Sequence, residues 1–384
     1  MKRGRAVNFD TRLLKHLDKL LVLAMVALIT IGIVVISSAG LGFNGPDAAA
    51  GMVKKQIMAA GIGLVLMIIA MLFDYEEFSR MTWLIYGLNC ALLVAVLATG
   101  KLMNGAQSWI AIGPLQIQPS ELGKVMLILT LGHQLDRMER IDSIWDLIVP
   151  AFHVAPLLVL LMLQPDLGTS LVFIVITAAM VYMAGFPGWK MVLLGGGPIA
   201  AVVGWFFAHV KWGVKMWPLD DYQVGRLETF FNPTADPTGD GYQVMQSKIS
   251  IGSGGWFGRG LYQGTQNQLG FLPEQHSDFI FAVIGEELGF VGGAAVLFLF
   301  LVLLWRIMAV AATSRDRYGT LIATGVTAMI GFHVLENVGM TLGVMPVTGI
   351  PLPFISYGGS ALMANMVAIG LVLNVGMRRQ KIMF

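Results

Sequence analysis

Asp278 is the residue whose surroundings first suggest chemistry. It lies in the run LPEQHSDFIFAVIGEELG, from Leu272 to Gly289, where a long polar segment passes into an apolar helix. A carboxylate at such a boundary is desolvated on one side and reached by protons on the other, which suits a general base. The local run also allows a plainer role, because Asp is a favoured N-cap and the helix is expected to start at Phe279. Glu286 and Glu287 follow about two helical turns later. Two adjacent acids facing lipid would be costly, so at least one is expected to face the protein interior in a supporting role. His276 neighbours Asp278 but has no second histidine near it in the sequence, so a zinc site is poorly supported.

Four further stretches carry polar groups beside apolar ones. In QPSELGK (118–124), Glu121 and Lys124 stand at i, i+3 and share a helix face. An unpaired charge inside a membrane helix costs about 2.5–3.5 kcal/mol at its centre. The two therefore form either a self-satisfied ion pair or the wall of a polar pocket, and the pocket is the reading favoured here. Pro119 and Ser120 fit a helix start, with Ser120 as N-cap. In QPDLGTS (164–170), Asp166 precedes Leu167 and fits an N-cap that complements the helix dipole.

The segment 211–278 contains SIGSGGWFGRG, whose glycines could cradle a phosphate. It lacks the Lys-Ser/Thr ending of a P-loop and follows no parallel strand, so tight turns explain it as well. Arg226, Lys248 and Arg259 are spaced through the segment and either receive an anionic substrate or meet lipid headgroups. Lastly, GIPLPFISYGGS, with Pro353, Ser356, Gly358 and Gly359, puts irregular backbone at a span entrance. Such backbone is tolerated at membrane depth where it is buried in protein or lines a wet cavity.

These residues must be positioned by membrane helices. Of the 384 residues, 56% are hydrophobic and 12% charged, and the mean hydropathy is +0.73. A soluble domain carries about 25% charged residues. Several apolar runs of about 20 residues fit an all-α polytopic membrane protein with about ten transmembrane helices. A β-barrel, whose strands would alternate apolar and polar residues, is excluded. The single cysteine, Cys90, rules out a disulfide framework.

The spans are expected near 20–39, 57–73, 81–99, 122–135, 147–163, 167–185, 191–210, 283–305, 319–342 and 355–376. Gly195-Gly196-Gly197-Pro198 predicts a broken or mobile seventh span. The chain reads as one domain over 1–384, with tails at 1–19 and 377–384 and a large loop at 211–278 between spans seven and eight. Lysine and arginine crowd both tails and the loops holding Arg137, Arg140, Arg306, Arg315 and Arg317, which places both termini in the cytoplasm. Lys54 and Lys55 are the exception on the other side. The outward loops and adjoining span ends, near 40–56, 100–121, 164–166, 211–278 and 343–354, then carry nearly all the unusual polar motifs. Function is expected on that outer face.

With those motifs in place, the chain resembles the SEDS family of bacterial shape, elongation, division and sporulation proteins. The resemblance rests on QPSELGK, QPDLGTS, QSKISIGSGGWFGRGLYQGTQ (246–266), FLPEQHSDFIFAVIGEELG (271–289) and PVTGIPLPFISYGGSAL (346–362), and runs from about residue 20 to 376. GTQ (264–266) followed by FLPE looks more like the elongation branch, RodA, than the division branch, FtsW. The resemblance implies a ten-span peptidoglycan glycosyltransferase of the bacterial inner membrane, active on the periplasmic face, that polymerises lipid II into β-1,4 glycan strands. It carries the family's essential aspartate onto Asp278, its Glu and Lys of the fourth span onto Glu121 and Lys124, and its tryptophan onto Trp109. Many members have Arg where this chain has Ser108, so a phosphate contact by that residue must be made elsewhere or is dispensable.

Asp278 would accept the proton of the acceptor sugar's 4-hydroxyl as it attacks the donor's anomeric carbon, inverting α to β. An ordinary Asp, with a pKa near about 3.9, would be ionised at neutral pH, and partial desolvation would make it a better base. Gln118, Asp166, His276 and Ser356 join the candidate substrate-binding residues, and Lys124, Arg226, Lys248 and Arg259 are candidates to meet the departing pyrophosphate. A divalent cation, magnesium or manganese, is a further candidate, with Asp278 as its ligand. Expected partners are lipid II, a class B penicillin-binding transpeptidase and elongation-complex membrane proteins of the MreC and MreD kind; no nucleic acid is implied. A lipid II flippase is the competing reading, although transporters usually place charged sites near the midplane and show paired repeats.

Overall fold

The computed structural model describes residues 16–103, 106–112, 115–212, 221–233, 236 and 239–379. Lys2, Arg3, Arg5, Arg12 and Lys15 of the basic tail lie outside the described residues. So do Lys381, Asn104, Gly105 and part of the 211–278 segment. In chain order the first helices are α1 (Lys19–Leu72), α2 (Tyr75–Arg80), α3 (Thr82–Thr99), α4 (Pro119–Asp136), α5 (Ile148–Met162), α6 (Leu167–Met183) and α7 (Gly188–Trp212). Then come α8 (Asp221–Phe231), α9 (Asp240–Gly254), α10 (Thr265–Gln268) and α11 (Ile280–Glu287). The chain closes with α12 (Gly289–Ala312), α13 (Arg317–Leu342) and α14 (Gly359–Met377).

Among the described residues, seven segments are long and apolar enough to cross a membrane: 19–42 and 45–72 within α1, 144–162, α7, α12, α13 and α14. The shorter apolar helices α3 and α6 and the 18-residue α4 with its three charges occupy other expected spans. The protein is a multi-pass helical membrane protein. Of the apolar window of α14, 89% is buried, against 6% for α7, so α14 is the centre of the bundle and α7 its outlier. α1 and α13 pack on α14, and their side chains form one continuous apolar core with α4 and α6.

Several expectations change. Residues 40–56, read as a loop, are helical and form a hairpin. A Cβ at Gly40 would lie 2.8 Å from the Ala49 Cα, although nine residues of straight helix span about 13.5 Å. The reversal occurs at Gly45, whose φ is +82°, just before Pro46. The region 100–121 contains strands β1 (Lys101–Met103), β2 (Ala106–Ile112) and β3 (Leu115–Ile117), paired antiparallel in that order. The large segment 211–278 is mainly helical where described, through α8, α9 and α10.

Span eight is two helices, α11 and α12, broken at Gly289, whose φ is +67°. A Cβ there would lie 2.3 Å from the Gly258 nitrogen. The glycine-rich turn docks on this break: Phe290 N donates to Gly255 O at 2.9 Å and Arg259 N to Glu286 O at 3.0 Å. Close backbone approach accounts for glycines there. Conversely, α7 is unbroken through Gly195–Pro198. Membrane helices tolerate such residues because local adjustment re-satisfies the freed backbone groups.

Candidate functional site

A cavity of about 750 Å³ opens at the end of the bundle where the α1 hairpin, the small sheet, α8–α9 and the α13–α14 connection meet. Asp278 lines it. Residues 274–279 form a tight turn, with Glu274 at φ +50° and Asp278 N donating to Glu274 O at 3.1 Å. Helix α11 then starts with Phe279 as its N-cap and no side-chain cap bond. The cap role considered for Asp278 is therefore not the one it takes; its carboxylate belongs to the cavity. Burial pushes its pKa up to about 7, the Glu274 charge adds to the rise, and the Ser277 side chain and Arg226 oppose it. A carboxylate held there is a far stronger proton acceptor than an exposed one.

Of the expected binding residues, Trp109, Gln118, Asp166, Arg226 and His276 line the same cavity. Asp166 is also the expected cap, accepting from Thr169 N at 3.0 Å, and it accepts from Gln118 Nε2 at 3.2 Å. Arg226 approaches Asp240 to 3.3 Å. Asp240 is raised by burial, with Arg226 opposing. His276 is lowered by burial, which favours its neutral form at pH 7. Gly358 and Gly359 complete one wall, and Gln56 ties that wall to α1 by accepting from Gly358 N at 3.3 Å and donating to Ser356 O at 3.1 Å.

The remaining residues lie elsewhere. Glu121 and Lys124 are 4% and 2% exposed and pair at 2.7 Å, one helical turn inward from Gln118 and off the cavity lining. Lys124 Nζ also lies 2.9 Å from His333 Nε2, while His333 Nδ1 meets Met329 O at 2.6 Å. This is the self-satisfied pair, extended to a triad, rather than the pocket wall. Ser120 is not the cap of α4: that position is Gln118. Lys248 and Arg259 are exposed and off the cavity; Arg259 donates to Ser253 O at 3.2 Å.

Ser356 is buried beneath the site, accepting from Leu352 N at 2.8 Å and donating to Ser277 O at 2.5 Å. Pro353 is buried in the same turn. Glu286 and Glu287, expected in a supporting role, face the protein interior and tie α11 to α10 and α1. Glu286 accepts from Gln266 N at 2.7 Å and Asn267 N at 3.1 Å. Glu287 accepts from Ser38 at 2.5 Å and from Asn267 Nδ2 at 2.8 Å.

Lys55, Asp240 and Glu274 line the cavity without having been singled out. Lys55 could have been found, since it broke the charge bias of its side. Ser108 lines the same wall, is 2% exposed, and its hydroxyl has no hydrogen-bond partner. For a divalent cation the donor set is thin: among the described residues no three His, Cys, Asp or Glu side chains group to hold a metal. The described residues do not fit a protein-built metal centre.

Comparison with known proteins agrees with this architecture. Residues 18–381 match the family model described as cell cycle protein, covering FtsW, RodA and SpoVE. Stage V sporulation protein E of Bacillus subtilis is 38% identical over 364 residues, covering 93% of this chain and 96% of that protein. Peptidoglycan glycosyltransferase RodA of Treponema pallidum is 36% identical over 431 residues, covering 94% of this chain and 98% of that protein. A chain from a structure on the coordination of polymerization and crosslinking by a peptidoglycan synthase complex has a TM-score of 0.78 and 36% identity, covering 94% of this chain and 98% of its own. With a matching fold and a family match over nearly its whole length, the chain belongs to the FtsW/RodA/SpoVE family, the SEDS proteins.

Proposed function

We propose that this protein is a peptidoglycan glycosyltransferase of the elongation branch, polymerising lipid II with Asp278 as general base. The observation that carries the base assignment is a carboxylate raised to about 7 on the wall of a cavity of about 750 Å³. Near pH 7 such a group exists in both protonation states, the condition under which general-base catalysis is most effective.

In the proposed reaction the acceptor's 4-hydroxyl attacks the anomeric carbon of the donor. Asp278 takes the hydroxyl proton, the bond from the anomeric carbon to the pyrophosphate oxygen breaks, and undecaprenyl pyrophosphate leaves with the electron pair. Attack opposite the leaving group converts α to β. A positioned base contributes about 10²–10⁴-fold to such a step. Negative charge grows on the leaving group, and Lys55 and Arg226 are the cations on the cavity wall suited to stabilise it. This moves the charge-compensating role away from Lys124, Lys248 and Arg259, which do not line the cavity.

The cavity end then faces the periplasm, both termini the cytoplasm, and the membrane is the bacterial inner membrane. The similar chain from a peptidoglycan synthase complex supports a class B penicillin-binding transpeptidase as partner, and membrane proteins of the MreC and MreD kind fit the elongation role. The test is polymerisation of lipid II by the purified full-length protein, alone and with its transpeptidase, beside Asp278→Asn. Polymer from the wild type and none from the variant is expected. Lipid scrambling in liposomes without polymer would instead support a transporter.

A further inference from the structure

A base must be held still to meet a hydroxyl, and the helix after Asp278 does not hold it, since α11 begins without a side-chain cap. The hold comes from α13 and the connection to α14. His276 O accepts from Tyr357 N at 2.9 Å, Ser277 O from Ser356 Oγ at 2.5 Å, and Asp278 O from Asn337 Nδ2 at 2.7 Å. Successive carbonyls are thus taken from the same side. Asn337 differs from the other two donors because its amide also donates to Ile350 O at 2.8 Å. One side chain joins the main chain of Asp278 to the segment facing it. That segment carries Gly349, at φ +74°, where a Cβ would lie 3.4 Å from Asp278 Oδ2. Asn337 is 0% exposed and sits on α13, a continuous helix.

We propose that Asn337 is a positioning residue for the transfer step, fixing the Asp278 carboxylate against residues 349–351 without touching substrate. The inference rests on Asp278 being the base. Take away the amide and the Asp278 and Ile350 carbonyls both lose this donor, so the tie at Asp278 itself is lost while the bonds from Tyr357 and Ser356 to the preceding carbonyls remain. The cavity walls built by α1, the small sheet and α8 keep their contacts, so substrate binding survives while the reacting atoms lose alignment. Misplacement by about 1 Å costs on the order of 10²-fold in rate.

A control exists within the same protein, one whose amide oxygen in addition accepts from Arg378. Asn374 on α14 is also 0% exposed, and its Nδ2 also bridges two carbonyls, donating to Ala70 O at 2.6 Å and to Phe73 O, away from the cavity. The experiment is steady-state polymerisation of lipid II by full-length wild type, Asn337→Leu, Asn374→Leu and Asp278→Asn, with thermal unfolding of each. Asn337→Leu is expected to lose kcat on the order of 10²-fold with KM near wild type, whereas Asn374→Leu loses similar stability but keeps kcat per folded molecule. If Asn337→Leu does not fold, Asn337→Ser is compared with Asn374→Ser in the same way. Wild-type kcat in the Asn337 variant, or equal losses in both asparagine variants, would overturn the positioning role. Full activity in Asp278→Asn would overturn the base assignment and the inference with it, a pattern distinct from failure at Asn337 alone.

Discussion

Replacing Asp278 by Asn should abolish polymerisation and at the same time make the protein more stable. The substitution keeps shape and removes charge. Folding raises this carboxyl from 3.8 to about 7, so between those values the folded state binds a proton that the unfolded state has lost. Stability contributed by this group therefore falls as pH rises from about 4 to about 7 and is flat above. The upper bound on the cost at pH 7.4 or above is about 4 kcal/mol, from roughly three pH units at about 1.36 kcal/mol each. Water on the cavity side screens the charge and lowers that figure. Asp278→Asn should thus melt higher than wild type at pH 8, with the gain shrinking toward pH 5 and vanishing near pH 4. Thermal unfolding of the purified protein across that range reads the effect. In wild type, kcat/KM should have an acid limb centred near 7, with the base form falling about tenfold per pH unit below it. A variant that still polymerises, or whose stability gain does not grow with pH, would refute the reasoning.

Other expectations follow from neighbouring groups. Glu274 raises Asp278 and Arg226 lowers it, so Glu274→Gln should move the acid limb of kcat/KM to lower pH and Arg226→Gln to higher pH, read from pH–rate profiles. Gly349→Ala should cost about 1–2 kcal/mol, because φ +74° is unfavourable for an L residue, and should lower kcat by placing a methyl against the Asp278 carboxylate. Lys124→Met should cost about 3–5 kcal/mol by leaving Glu121 buried and uncompensated, whereas adding Glu121→Leu should recover much of it; thermal unfolding compares the two.

The parts of the site legible in the sequence were those whose signal is local. Asp166 is read correctly because a cap lies next to its helix, and the acids at 286 and 287 because two charges in an apolar run must turn inward. Asp278 was placed at a boundary, but its lack of a cap bond depends on the turn at Glu274, which no propensity rule announces. The Glu121–Lys124 spacing gave the pair, yet whether it meets a cavity or His333 depends on which face α13 presents some 200 residues later. Asn337 carries no local signal, because its two partners, Asp278 O and Ile350 O, are supplied by other segments. The α7 glycines and Pro198 predict a broken or mobile span, yet the helix runs through them, because a membrane leaves the backbone no better partner than itself.

The hold on Asp278 also has a consequence in time. The carboxylate is synthesised before the groups that fix it: Asn337 follows by 59 residues and Ser356 follows Ser277 by 79. At about 5–20 residues per second, the chain passes several seconds with Asp278 made but not yet held. The hold on Asp278 is completed only once α13 and the turn before α14 are made. A chain stopped before α13 would carry the aspartate without the donors that hold its backbone.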